Sequence, residues 1–181
     1  MAQLGVEFTV QAADIDETLM DNERPERAVS RLASAKAERI AMAPSSDSNI
    51  ILGADTIVVK GEEILGKPHD ADDARRMLGL LSGTQHTVLS AIAFASHCDG
   101  SLEVDASVVT TTVHFRVLSG EETEAYIATQ EPFDKAGAYG IQGLAAAFVT
   151  RIEGSYSNVV GLPLAETWAK LVSLGVKTAL S

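Results

Sequence analysis

The sequence predicts a mixed α/β domain in which helices flank a sheet that is not purely parallel. Apolar stripes at helical spacing are interspersed with strand-like runs along the chain, and turn signals join neighbouring strands as hairpins. Apolar residues make up 46% and charged residues 22% of the 181 positions, the balance of a folded chain rather than a disordered one. That length suits one domain over residues 1–181 with one core.

The first helix is expected from about Pro25 to Met42. Pro25 suits a first turn, where its missing N–H costs nothing. Val29, Leu32, Ala33, Ala37 and Ile40 form an apolar stripe, and Lys36 falls on the same stripe. Met42 to Asn49 reads as a connector. Ile50 to Val59 reads as a strand, apolar on both faces and therefore central in the sheet, with Asp55 in its middle. Lys60-Gly61-Glu62 turns into a short return strand, Glu63 to Leu65. Asp70 caps a helix with Asp73 at its third position, and Ala74, Met77, Leu78 and Leu81 are its buried stripe, stopped by Gly83.

Thr87 to Ala95 and Val104 to Val117 are the next strands, separated by an Asp99-Gly100 turn signal. In the second, Val109, Thr111, Val113, Phe115 and Val117 form the packed face, alternating with Thr110, Thr112, His114 and Arg116. Ser119 and Glu122 form a capping box for a helix to about Thr129. A glycine-rich loop from Gly137 to Gly143, a strand from Leu144 to Ile152 and a helix from Leu164 to Leu174 complete the chain.

Fourteen basic and 25 acidic side chains leave a net charge of −11, which disfavours nucleic-acid polymers and anionic membranes as partners. The lone Cys98 cannot form an internal disulfide, so a reducing compartment is the simplest setting. No apolar run approaches membrane-spanning length, and Met1 to Phe8 has neither the basic nor the long apolar region of a signal peptide. A soluble, cytoplasmic domain is expected.

Asp55, in Leu52-Gly-Ala-Asp-Thr-Ile-Val-Val59, is the strongest local anomaly. A carboxylate in so apolar a strand costs several kcal/mol unless it is paired, solvated in a cleft or bound to metal; the plainer alternative is a residue that ends the strand or bonds nearby backbone. Asp14, Asp16 and Glu17 bring carboxylates together, either as hard-cation ligands or as a solvated acidic turn. Lys36 either snorkels out or points into a cleft. Lys67, before Pro68, is either a phosphate-binding point charge or an ordinary loop lysine. In the run Glu131 to Gly143, Gly137, Gly140 and Gly143 allow close approach to a ligand, and Gln142 offers a donor and an acceptor to a pyrimidine edge. The alternative is simply a compact loop. This run is neither a Walker A loop nor a dinucleotide fingerprint.

Other residues point to no chemistry. His69, His86, His97 and His114 lack metal-ligand spacing, Ser155 lacks a nucleophile elbow, and Arg75-Arg76 sits on the polar face of its helix.

Taken in order, Leu4-Gly5-Val6, Asp14 to Glu17, Arg31 to Ala37, Gly53 to Val58, Gly66-Lys-Pro68, Asp134 to Gly143, Gly154-Ser-Tyr156 and Val159 to Leu164 resemble the Maf family over essentially the whole chain. The resemblance implies a mixed sheet flanked by helices with a deep nucleotide-binding cleft. It also implies metal-assisted hydrolysis of nucleoside triphosphates to monophosphate and pyrophosphate in the cytoplasm. On the family pattern Asp55 is the proton acceptor, Glu17 and Asp55 hold a divalent cation (Mg or Mn), and Lys36 and Lys67 bind substrate. Thr56 and Gln142 match the branch acting on dTTP and UTP rather than the 7-methyl-GTP branch. A homodimer is among the assemblies it allows.

The resemblance departs at the start. Family members carry a strand and a Ser-x-Ser-Pro-Arg-Arg phosphate loop upstream of the position of Leu4-Gly5. Three expectations follow, the first two being an enzyme whose sequence is given from an internal methionine and a non-catalytic nucleotide-binding or regulatory protein. An unstable fragment is the third.

Overall fold

The computed structural model describes residues 1–20, 22–43, 50–98 and 100–181. The expected connector beyond Ala43 and Asp99 of the turn signal lie outside the described residues. The elements are α1 (Pro25–Ala41), β1 (Ile50–Lys60), β2 (Glu63–Leu65), α2 (Ala71–Leu81), β3 (Gln85–Cys98) and β4 (Ser101–Phe115). They continue with α3 (Gly120–Ala128), β5 (Val149–Glu153), α4 (Tyr156–Val160) and α5 (Leu164–Ser173). Among the described residues five strands form one sheet in the order β2-β1-β3-β4-β5. β1 pairs antiparallel with β2 through Val58 and Leu65, and β4 pairs antiparallel with β5 through Val113 and Ile152, so the sheet is not purely parallel. Among the described residues no helix is long and apolar enough to cross a membrane.

The expected helix signals act as read. Asp70 Oδ1 accepts from Asp73 N at 2.8 Å, and both bonds of the Ser119–Glu122 capping box are present. Arg75 pairs with Asp72 and Glu124, and Arg76 with Glu63 and Asp73, all at the surface.

Three expectations change. The strand at the centre of the order is β3, whose residues Val88 to Ala95 are buried without a break; β1 is interior but lies next to the short β2. β4 ends at Phe115, so Val117 is exposed instead of packed. The chain leaves the sheet there because Arg116 O accepts from Gly83 N and Leu118 N donates to Ser82 Oγ. Finally, Leu144 to Phe148 is a short 3₁₀ helix, and only Val149 to Glu153 forms strand. Ala145-Ala-Ala147 has no β-branched residue to favour a pleated surface, and Ala146 N bonds back to Gly143 O at 3.1 Å.

The packing divides into two compact units. The first comprises Met1–Asp55, Ala91–Val108 and Gly161–Ser181. Its core joins Leu4, Ile92, Phe94 and Leu171, with Trp168 packed against them. Gly5, at φ +68°, lies so close to Ala179 that an added Cβ would sit 2.6 Å from that residue's own.

The second unit comprises Thr56–Ser90 and Val109–Val160. The α2 stripe of Ala74, Met77, Leu78 and Leu81 is buried against Val88, Val113 and Phe115. His86 is buried among the edges of Phe115 and Tyr139, and its Nε2 lies 2.8 Å from Tyr139 Oη. Burial, with Lys60 and His114 nearby, pushes the His86 imidazole down to about 4.

Above its ordinary value of 6.5 His86 is neutral in both folded and unfolded chains. As the pH falls toward 4 the unfolded chain takes up a proton that the folded chain refuses. Stability is therefore lost between pH 6.5 and 4 and levels off below, by about 3 kcal/mol in all. Urea midpoints across that range should fall more steeply for the wild type than for His86→Phe.

Candidate active site

The first unit builds its polar centre where α1 meets β1. A Cβ on Gly53 would lie 2.3 Å from Ala33 O and 2.7 Å from Ala37 N, both backbone atoms of α1. Only glycine lets the strand lie this close to the helix. Asp55 is two residues further along β1 and so on the same face as Gly53, while Lys36 stands on α1 beside Ala37. The result is a pair at 2.6 Å between Lys36 Nζ and Asp55 Oδ1, their side chains 21% and 11% exposed. Lys36 therefore neither snorkels away nor stands alone, and Asp55 does not end its strand.

Glu17 joins from the segment before α1. Its Oε1 lies 2.6 Å from the same Lys36 nitrogen, and its side chain is 49% exposed. Arg31 steadies this segment, donating to Glu23 through two nitrogens at 2.8 and 2.7 Å and to Thr18 O at 3.2 Å. Thr18 N donates to Asp16 Oδ1 at 2.9 Å. Asp16 is thus occupied in a local turn, and Asp14 is exposed. Burial works against the charge on Lys36, but its bonds to Asp55 and Glu17 prevail and raise it above its ordinary value. The ammonium is charged throughout the neutral range.

Glu17 and Asp55 are hard oxygen donors converging on one positive point. Magnesium commonly binds through one or two carboxylates, with water and substrate phosphate as the remaining ligands. Among the described residues no group of three or more His, Cys, Asp or Glu side chains could form a complete protein cage. Glu17 and Asp55 are the two carboxylates that could serve such an ion, and both are paired to Lys36 Nζ.

The second unit holds Thr56, Lys67 and Gln142. Gly137 N donates to Gly66 O at 3.0 Å, tying the glycine-rich loop to the segment that carries Lys67. Gly137 sits at φ +70°, with Val58 3.0 Å from where a Cβ would be. Ala138, fully buried, adopts φ +61° without being glycine, strain of the kind that gathers at functional loops. Glu131 closes the loop: Oε1 accepts from Tyr126 Oη at 2.9 Å and Oε2 from Leu144 N at 3.0 Å. Glu131 also fills the space beside Gly143 that a Cβ would need. Lys67 and Gln142 are both exposed. Thr56 Oγ1 lies 2.8 Å from Ser90 Oγ.

Sequence reasoning assigned no role to Gly53, Arg31, Glu131 or Ser90. Gly53 and Glu131 stand within distinctive runs, but the demand for glycine and the closing bonds are visible only in three dimensions.

The carboxylate–lysine pair of the first unit and the strained glycine-rich loop of the second do not by themselves name a class of protein. Comparison makes the class specific: a family model described as "Maf-like protein" matches residues 1–174, and the chain belongs to the Maf family. It is 49% identical over 181 residues to a protein of Hahella chejuensis named "dTTP/UTP pyrophosphatase", covering 98% of this chain and 87% of that one. Proteins of the same name from Geotalea uraniireducens and a Shewanella species are 52% and 50% identical, covering 97% and 94% of this chain and 88% and 86% of their own.

Gly53→Ala should force β1 and α1 apart and cost about 1–3 kcal/mol or more in urea unfolding. Gly79→Ala, in α2 with nothing within 4 Å of an added Cβ, should instead be neutral or stabilising by up to about 1 kcal/mol.

Proposed function

We propose that the chain is a nucleoside triphosphate pyrophosphatase that hydrolyses dTTP and UTP to the monophosphate and pyrophosphate in the cytoplasm. The observation that carries this reading is Asp55, a carboxylate 11% exposed within a strand and paired to Lys36 at 2.6 Å, in a chain about half identical to proteins named for that activity. Rigid placement is what a proton acceptor needs, since general-base catalysis depends first on geometry.

In the proposed reaction Asp55 takes the proton of the attacking water. The water oxygen bonds to phosphorus, the α–β anhydride bond breaks, and the two products separate. Lys36 holds Asp55 in place from one side and presents a fixed positive charge against which phosphate negativity can build. Glu17 and Asp55 would hold a divalent cation, magnesium or manganese, which when bound would neutralise charge on the phosphate oxygens. Lys67 is assigned to phosphate, and Gln142 and Thr56 to the pyrimidine nucleoside. The net charge of −11 does not oppose this, because a free triphosphate meets local cations rather than the average surface.

Pyrophosphate release from dTTP and UTP with magnesium tests the reading. Asp55→Asn should lower turnover by at least about 100-fold while leaving cooperative unfolding intact. Turnover unaffected by this substitution, or none by the wild-type chain, would contradict it.

A further inference from the structure

Glycine-rich loops often cradle phosphate with main-chain N–H groups, but the loop from Gly137 to Gly143 spends many of its own inside the second unit. Gly137 N donates to Gly66 O, Ala138 N to Lys135 O and Gly143 N to Gly140 O. Gly140 N donates to Tyr126 Oη at 3.4 Å, and Leu144 N, just beyond the loop, to Glu131 Oε2 at 3.0 Å. The Glu131 carboxylate lies against Gly143, in the space a Cβ would take. A negative group at that place repels phosphate oxygens, so the ligand group that suits the loop is a neutral one.

Gln142 is the polar side chain the loop presents. It stands third in a turn closed by Gly143 N and Gly140 O at 3.0 Å. Ile141 before it is buried in the core that holds Tyr139 and Ala145. Gln142 itself is exposed, and its amide makes no hydrogen bond among the described residues. The main chain on either side therefore decides where the amide reaches. Both flanks lead to one carboxylate: Leu144 N bonds to Glu131 directly, and Gly140 N through Tyr126, whose hydroxyl donates to Glu131 Oε1 at 2.9 Å.

From this we infer that Glu131 is a positioning residue for Gln142, fixing the backbone at Gly140 and Leu144 so that the amide is held against the edge of a pyrimidine base. The inference rests on the proposed role of Gln142 in binding the pyrimidine nucleoside. The matching group is a uracil or thymine edge, where a carbonyl stands beside N3–H and meets the donor and acceptor of one amide. An amide held in one place penalises a base whose N3 cannot donate, whereas one free to shift does not.

The readout is selectivity for UTP over N3-methyl-UTP, the ratio of their kcat/KM values in pyrophosphate release. The wild type should favour UTP at least about tenfold, and Gln142→Ala should erase most of that preference. Glu131→Ala should bring the ratio within about twofold of the Gln142→Ala value, and the double variant should lower it no further. A general packing defect would slow both nucleotides alike and leave the ratio unchanged. Gly143→Ala reaches the same point by another route. Its backbone, at φ −103°, accepts alanine, but the new Cβ takes the place of the Glu131 carboxylate, so selectivity should fall with the fold intact. The wild-type ratio in a folded Glu131→Ala, or in Gly143→Ala should Glu131→Ala fail to fold, overturns the inference and leaves the pyrophosphatase reading standing. So does a wild type that turns over the two nucleotides equally. A wild type that hydrolyses neither overturns both.

Discussion

The close approach of β1 to α1 at Gly53 is the constraint on which the first unit's polar centre depends. With no Cβ at Gly53, the strand rests against the backbone of Ala33 and Ala37, and Asp55 is delivered to Lys36 at 2.6 Å. Neither residue could reach its partner so directly across a layer of larger side chains. The charge that would be costly for a strand carboxylate alone is offset by the ammonium, and Glu17 adds a second carboxylate from a segment that Arg31 holds in place.

The second unit solves a different problem with the same economy. Its loop from Gly137 to Gly143 is shaped by Glu131, Tyr126 and the bond from Gly137 to Gly66 rather than by regular secondary structure. The strained Ala138 is tolerated because its surroundings leave it no alternative. Within the same unit Thr56 Oγ1 lies 2.8 Å from Ser90 Oγ, which donates to the Asn158 carbonyl of α4.

Much of this was legible in the sequence, because local signals act locally. Asp70 and Ser119 mark helix starts through bonds made within one turn, Pro25 does so through its fixed backbone angle at the first position, and the α2 stripe declares its buried face. Asp55 and Lys36 were visible as charges on apolar surfaces, each an anomaly that needs a partner, though not as partners of one another. What stayed hidden depends on distance through space. Ser90 reads as a small residue in an apolar run, and nothing nearby announces the Asn158 carbonyl. The run from Leu144 reads as strand by apolarity, but its alanines supply no shape that prefers a sheet, and hydrogen bonding around Gly143 decides otherwise. Val117 continues an alternating pattern beyond the point where the chain turns away at Arg116.

The central claim is that Asp55 and Lys36 act as one unit in the reaction. A double-mutant cycle on UTP turnover, using Asp55→Asn, Lys36→Met and the double variant, tests it most directly. If the two residues act together, the loss in the double variant falls well short of the product of the two single losses, because each substitution already removes their shared contribution. If the losses multiply, the residues act independently, and the pair at 2.6 Å is structural support rather than a catalytic unit.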